Sequence, residues 1–289
     1  MTTISDRRVA LVTGASSGIG KEVAKGLAAD GWRVIGIGYD PARLKAAEAE
    51  IRAVSDNGRV DMLRVDLASI DASVRGGREV SALTDRLDLL VNNAGGMVKE
   101  KIITSEGHEH CFASNHLGPF ALTQTLLPLL RRTAASLPHG SVRILNTASD
   151  ASEMVPDLDW DDLESVKQFN PGLSYCRAKL ANVLFARALA SRLSSDGIVA
   201  HAIHPGTVDS NFIHHADAGT QARIRTYPSI TPAQGADTLL WLALDDEGAR
   251  SNGGYFYQRK PRPASTFADD AANADRLWTE SEKLVAHAR

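Results

Sequence analysis

Short apolar runs alternate with longer stretches of mixed polarity along the 289-residue chain. The short runs predict strands and the longer stretches predict helices, because buried strands are brief and continuous whereas helices repeat their apolar positions about every 3.6 residues. The predicted strands are residues 9–13, 34–37, 62–65, 87–91, 142–146 and 199–203. The predicted helices are residues 19–29, 42–54, 70–84, 105–134, 173–193 and a closing helix at 268–288.

This repetition of strand and helix predicts an α/β fold with a doubly wound parallel sheet, the Rossmann fold. No linker-like composition divides the chain, so residues 1–289 are predicted to form a single domain. Two irregular segments interrupt the pattern at about 150–171 and 209–227. Both follow predicted strand ends, where ligands bind in such sheets, and we expect them to cover a substrate as lids.

Two short stretches carry candidate chemistry. Thr-Gly-Ala-Ser-Ser-Gly-Ile-Gly at 13–20 follows the first strand and opens the first helix, an arrangement that can hold a dinucleotide pyrophosphate. Tyr175 and Lys179 are four residues apart on one predicted helix face. There the ammonium can lower the pKa of the phenol toward the range of a general acid. Together the two stretches indicate hydride transfer to or from a carbon that bears oxygen.

Composition and charge argue against several classes of binding partner and against a membrane protein. The chain is 43% hydrophobic and 23% charged with a net charge of −3, so it lacks the basic footprint of a protein that binds nucleic acid or an anionic membrane. The longest uncharged run, 110–130, contains Asn115 and Pro128 and predicts a buried helix rather than a membrane span. The polar residues 1–8 do not have the pattern of a signal peptide. Cys111 and Cys176 form no disulfide framework, so a cytoplasmic location is expected. No metal site is expected.

In their order along the chain, these motifs resemble those of the short-chain dehydrogenase/reductase superfamily. The resemblance covers about residues 8–257 and includes Thr13-Gly14-x3-Gly18-x-Gly20, Asp66-Leu67, Asn92-Asn93-Ala94-Gly95, Asn115, Ser149, Tyr175-x3-Lys179 and Pro205-Gly206-Thr207. Residues 115–120, 179–185 and 204–208 are similar to the retinol dehydrogenase and WW-domain oxidoreductase branch. The resemblance implies an NAD(P)-dependent enzyme that interconverts an alcohol and its aldehyde or ketone. The implied partner is a medium-sized, largely apolar small molecule, and a homodimer or homotetramer stays open.

The resemblance also implies residue roles. Tyr175 would be the general acid/base, Lys179 would lower its pKa and hold the nicotinamide ribose, Ser149 would polarise the substrate oxygen, and Asn115 would hold a water. The implied cofactor contacts are Gly14, Ser16, Ser17, Gly18, Ile19, Gly20, Tyr39, Arg43, Asp66, Leu67, Asn93, Ala94, Gly95, Tyr175, Lys179, Pro205, Gly206, Thr207 and Val208. The expected substrate contacts are Ser149, Phe212 and His214.

The end of the second predicted strand favours NADP over NAD. Gly38 stands where a carboxylate would grip a ribose 2′-hydroxyl, so a 2′-phosphate is not repelled there. Tyr39 stands where the branch tends to have an arginine, and Arg43, one helical turn later, is the candidate replacement. Asp40 argues for NAD, which remains the alternative.

Two other functions stay open at this point. A non-catalytic protein that senses a nicotinamide nucleotide, or serves as a scaffold, could use the same fold. A reductase of conjugated C=C bonds could use the same cofactor. Turnover of reduced cofactor with carbonyl compounds would distinguish the enzyme from the non-catalytic protein. Product analysis would distinguish carbonyl reduction from C=C reduction.

Overall fold

All six predicted strands form in the computed structural model, which describes residues 7–56, 58–209, 216 and 218–286. The strands are β1 Val9–Thr13, β2 Arg33–Gly38, β3 Val60–Arg64, β4 Leu89–Asn92, β5 Val142–Thr147 and β6 Ile198–Ile203. They pair in parallel in the order β3-β2-β1-β4-β5-β6. The central strands are buried throughout because helices cover both faces of the sheet. The predicted doubly wound α/β fold is confirmed.

Two further strands, which the sequence pattern does not reveal, extend this sheet to eight strands. β7 Tyr255–Tyr257 pairs in parallel with β6, and β8 Lys260–Pro261 pairs with β7 in antiparallel. The turn between them holds Gln258 and Arg259, both at positive φ, as a two-residue hairpin requires. Strands of two and three residues are too short to show a period of two.

Helices cover the two faces in two groups. The helices are α1 Gly18–Ala29, α2 Pro41–Ala53, α3 Ile70–Leu83, α4 His110–Phe112, α5 Gly118–Ala134, α6 Pro171–Leu193, α7 Ala218–Ile224, α8 Pro232–Leu244, α9 Glu247–Arg250, α10 Thr266–Asp269 and α11 Ala271–Val285. One buried apolar cluster joins the sheet to α1, α2 and α8. The other joins it to α3, α5, α6 and α11.

The predicted continuous helix at 105–134 is wrong in its first part. Residues 105–109 form a turn in which Gly107 has φ +89°, and the helix begins only at His110. The buried Glu109 side chain accepts hydrogen bonds from the N–H groups of Cys111 and Phe112 at 2.9 Å and so caps this start. A π-helical segment, Ala113–Leu117, then leads into α5. The predicted closing helix is likewise divided, because Asp270 is extended and caps α11.

Helix α11 packs on α6 and on the π-helical segment. The Trp278 ring lies 5.0 Å from Phe120 and 6.2 Å from Phe185, measured between centroids. The Ser281 hydroxyl is 2.8 Å from Nε2 of His116, and burial lowers the pKa of His116 to about 3. This side of α6 and of the π-helical segment is therefore covered by the chain's own C-terminal helix. Within the part of the chain that the structure describes, the helices are too short or too polar to cross a bilayer.

Candidate active site

The glycine-rich turn between β1 and α1 forms an open cradle at the carboxyl edge of the sheet. Gly14 and Gly18 have φ of +69° and +56°, a region that disfavours other residues. A Cβ on Gly20 would lie 2.4 Å from the carbonyl oxygen of Gly14, so the helix can approach the turn only with glycine there. Ser17 precedes the helix without capping it through its side chain. The first N–H groups of a helix have no partner within the helix and can hold an anion.

Asn93 joins three strands beside this cradle. Its Nδ2 donates to the carbonyl oxygen of Thr13 at 3.1 Å, and its Oδ1 accepts from the hydroxyl of Thr147 at 3.3 Å. The N–H groups of Asn93 and Ala94 both donate to Oγ1 of Thr13. Asn93 and Ala94 therefore stabilise the sheet by linking the end of β4 to the ends of its neighbours β1 and β5. Gly95 follows at φ +148°, where a Cβ would lie 2.2 Å from Oδ1 of Asn115.

The expected adenosine contacts lie at the ends of β2 and β3. A Cβ on Gly38 would lie 3.0 Å from Oγ of Ser16, so Gly38 keeps the strand close to the glycine-rich turn. The Tyr39 ring is 61% exposed, and the Arg43 side chain is exposed on the first turn of α2. Asp40 caps that helix by accepting from the N–H of Arg43 at 2.8 Å.

Asp66 is exposed after β3, in front of the buried Leu67. One of its carboxylate oxygens accepts a hydrogen bond from the N–H of Ala68 at 2.9 Å. This contact forms a local turn, which is the structural role that a carboxylate often has directly after a strand. It holds the Asp66 side chain at the carboxyl edge of the sheet.

Tyr175 and Ser149 meet at the same edge. Tyr175 is buried in the second turn of α6, whose start is capped by Asn170 and contains Pro171. Ser149 directly follows Ala148 at the end of β5, and its hydroxyl forms a hydrogen bond with Tyr175. The same hydroxyl donates to Oδ1 of Asp150 at 3.1 Å. The structure therefore brings together two residues that are 26 positions apart in the sequence.

Lys179 lies beside the tyrosine, with Nζ 5.4 Å from the centroid of the Tyr175 ring. Its ammonium donates to the carbonyl oxygen of Thr147 at 3.2 Å, and only 4% of the residue is exposed. Burial lowers the pKa of Lys179 to about 8. The expectation that the pKa of Tyr175 is lowered is wrong for this structure. Burial raises the pKa of Tyr175, and the hydrogen bond with Ser149 only opposes that change.

Asn115 lies in the π-helical segment and has two kinds of contact. Its Nδ2 donates at 2.8 Å to the carbonyl oxygens of Gly96 and Cys111, so it satisfies local backbone groups. Its Oδ1 is buried and, among the described residues, has no hydrogen-bond partner. A buried oxygen of this kind can accept a hydrogen bond from a water molecule or from a ligand. Short π-helical segments are frequent at functional sites.

The loop after β6 lies next to the start of α1. Gly206 has φ +89°, and the carbonyl oxygen of Thr207 accepts from the N–H of Ile230 at 2.9 Å. Pro205 and Val208 are half-buried in the same loop. A Cβ on Gly235 would contact both Val208 and Ile19, which places this loop beside the glycine-rich turn. The expected substrate contacts Phe212 and His214 lie outside the described residues.

The two expected lid segments differ in what the structure describes. Residues 150–171 begin with a short 3-10 helix, Asp150–Glu153, and bury Val155, Leu158 and Leu163 in the same cluster as Tyr175. Met154 is exposed, as is Tyr227 in the second segment. That second segment also contains α7.

Three contributors to this edge were not found from the sequence. Glu109 accepts from the hydroxyl of Ser174 at 2.9 Å, which ties the start of α4 to the residue before Tyr175. His204 accepts at Nδ1 from the N–H of Asp150 at 3.1 Å, and its ring lies 4.7 Å from the Tyr257 ring, measured between centroids. Arg64 contacts Tyr39. Only His204 had a sequence signal, since it directly precedes the Pro205-Gly206 motif.

We expect the Lys179 ammonium to titrate with a midpoint near pH 8 instead of the ordinary value near 10.5. The folded protein then loses this proton before the unfolded chain does. Stability should therefore rise with pH between these two values, because the buried charge is relieved first in the folded state. NMR titration of the lysine side chains, with Lys179→Met to identify the resonance, measures the midpoint. A midpoint at the ordinary lysine value would contradict the expected desolvation.

The model of the short chain dehydrogenase family matches residues 8–221. Human retinol dehydrogenase 12 is 35% identical over 279 residues, which cover 96% of this chain and 86% of that protein. The crystal structure of an uncharacterized protein from Mycobacterium paratuberculosis has a TM-score of 0.75 at 30% identity and covers 98% of this chain and 95% of its own. The Pseudomonas aeruginosa RhlG/NADP complex has a TM-score of 0.69 at 28% identity, covering 90% and 96%.

A match over this much of the chain shows that the protein belongs to the short-chain dehydrogenase/reductase family of NAD(P)-dependent oxidoreductases. Within that family it lies in the retinol dehydrogenase branch. The family and the branch both agree with the resemblance that the sequence motifs alone indicated.

Proposed function

We propose that this protein interconverts an alcohol and its aldehyde or ketone with a nicotinamide dinucleotide, NADP in preference to NAD. The observation that carries the proposal is the meeting of Tyr175, Ser149 and Lys179 at the carboxyl edge of the sheet, beside the glycine-rich cradle. A structural relative is described with NADP in its active site, which supports the same cofactor here.

The residues at this edge fit such a dinucleotide. The cradle of Gly14, Gly18 and Gly20 would hold the pyrophosphate, since a side chain at Gly20 would collide with the turn. Asp66 would accept from the adenine amino group, and Lys179 would hold the nicotinamide ribose. Residues 205–208 would face the carboxamide, while Ser16, Ser17 and Ile19 would complete the cradle.

A bound nicotinamide dinucleotide supplies a hydride to the substrate carbon, or accepts one from it. In the direction of reduction, the substrate oxygen gains negative charge and requires a proton. Tyr175 holds that proton because burial raises its pKa, and its hydroxyl donates it as the charge develops. The Lys179 ammonium then stabilises the phenolate. Ser149, already bonded to Tyr175, would hold the substrate oxygen in line. In the direction of oxidation, the Tyr175 phenolate takes the proton from the alcohol hydroxyl as the hydride leaves the carbon.

We further propose that the substrate is medium-sized and largely apolar, as the name of the retinol dehydrogenase relatives suggests for those proteins. Met154 and Tyr227, exposed on the two lid segments, are apolar groups that could contact it. Phe212 and His214 remain proposed contacts. Asn115, through its unsatisfied Oδ1, would hold a water near Lys179.

The test is turnover of reduced cofactor with a panel of aromatic, aliphatic and unsaturated aldehydes and ketones. We expect oxidation of NADPH, faster than that of NADH, with an alcohol as the product. Quenching of the reduced cofactor's fluorescence without any turnover would instead support the non-catalytic sensor. A saturated carbonyl product from an unsaturated substrate would support C=C reduction.

A further inference from the structure

We propose that Arg64, at the end of β3, recognises the 2′-phosphate of NADP, with the ring of Tyr39 as its platform. Arg64 would therefore determine the preference for NADP. This inference rests on the proposed function, since it concerns the cofactor of that same site. It places the phosphate-binding cation on the strand next to β2, and not on β2 or on the first turn of α2.

The sheet register places Arg64 beside the glycine-rich turn. β2 and β3 pair Gly36 with Met62 and Gly38 with Arg64, so the side chains of Met62 and Arg64 leave the same face. That face is the one toward the turn, because a Cβ on Gly36 would meet the Met62 sulfur and Cβ of Ala15. A Cβ on Gly38 would likewise meet Ser16. Because Gly36 and Gly38 have no side chains, the side chains of Met62 and Arg64 occupy this face of the two strands.

The Arg64 guanidinium is already held in position. Its Nε donates to the carbonyl oxygen of Tyr39 at 3.2 Å, and its central carbon lies 5.7 Å from the centroid of the Tyr39 ring. A guanidinium that is held through Nε still has its two terminal NH₂ groups to offer to a second partner. Because one side of the fork is fixed by Tyr39, less conformational freedom is lost when an anion binds to the other.

Among the described residues, none of the ion pairs includes Arg64. The carboxylate of Asp40, next in the chain to Tyr39, directs one oxygen to the N–H of Arg43 as a helix cap. A planar guanidinium matches a phosphate in a bidentate manner, which is the strongest recognition available at an exposed edge. At the end of β2, where a 2′-substituent is read in this fold, a phosphate would be within reach of Arg64.

The experiment measures binding of two adenosine fragments, 2′,5′-ADP and 5′-AMP, by isothermal titration calorimetry. Wild-type protein should bind 2′,5′-ADP about 10- to 100-fold tighter than 5′-AMP, the range for one charge-assisted contact. Arg64→Gln should remove most of that ratio and leave the affinity for 5′-AMP within about twofold. Arg64→Lys should keep part of the ratio, because it retains the charge without the fork. Arg64 is exposed, so the thermal unfolding midpoints of the two variants should equal that of the wild type.

Arg43→Gln is the matched control, since Arg43 is also an exposed arginine at this corner and is the candidate from the sequence. It should keep most of the ratio. The proposal is overturned if wild type binds both fragments equally, if Arg64→Gln keeps the ratio, or if Arg43→Gln abolishes it. In the second and third cases the proposed function, with its preference for NADP, still stands. In the first case the preference for NADP falls, while binding of 5′-AMP would leave the proposed alcohol–carbonyl activity standing. Failure of both fragments to bind would overturn the proposed function as well.

Discussion

Tyr175→Phe should lower kcat by roughly 10²–10⁴-fold and leave cofactor binding intact. The substitution keeps the ring that packs in the core and removes only the hydroxyl that holds the proton. The hydroxyl is hydrogen-bonded to Ser149, and Nζ of Lys179 lies 5.4 Å from the centroid of the Tyr175 ring. Steady-state kinetics on the best substrate of the carbonyl panel, together with titration of NADPH fluorescence, measures both quantities.

Tyr255→Phe is the control for this experiment. Tyr255 is also a buried tyrosine, on strand β7, and burial raises its pKa as well. It is not in the proposed machinery, so its loss should change kcat by less than about fivefold. Near wild-type kcat in Tyr175→Phe, or equal losses in the two variants, would exclude Tyr175 as the proton donor.

Glu109→Ala should lower the free energy of unfolding by about 3–5 kcal/mol, the second large effect. The Glu109 carboxylate is fully buried and accepts from Cys111 N–H, Phe112 N–H and the Ser174 hydroxyl. Alanine would leave these donors without a partner in a place that water does not reach. Urea unfolding followed by circular dichroism measures the loss, and activity should fall with it because Ser174 precedes Tyr175.

Glu106→Ala provides a matched comparison. Glu106 also accepts three hydrogen bonds, from the Ser69 hydroxyl and from the N–H groups of Ile70 and Asp71 at the start of α3. It is only half-buried, so water can replace the carboxylate and the loss should be about 1–2 kcal/mol. Equal losses in the two variants would show that burial does not decide the effect.

Local signals explain why much of the site was predictable. The glycines of the turn after β1 are required by positive φ or by close backbone approach, and both requirements are visible in a short stretch of sequence. Tyr175 and Lys179 share a helix face by spacing alone. The parallel strands were recognisable because both of their faces are apolar.

Other features depend on residues that are distant in the chain. The region 105–134 has the composition of one helix, yet the start at His110 is set by Glu109, whose third partner is Ser174. The pKa of Tyr175 is raised by burial among elements from the whole chain, and this outweighs the lowering by the hydrogen bond with Ser149. The contact between Arg64 and Tyr39 follows from the pairing of β2 with β3.

The order of strands and helices, the glycine cradle and the Tyr175–Lys179 pair were predictable from the sequence, because periodicity, backbone conformation and helical spacing act over a few residues. The side chains that meet at the carboxyl edge, the start of α4 and the arginine beside Tyr39 became visible in the folded structure. Those outcomes depend on strand register and on desolvation. Both are properties of the assembled sheet and its helices, in which residues far apart in the chain exclude water from one another.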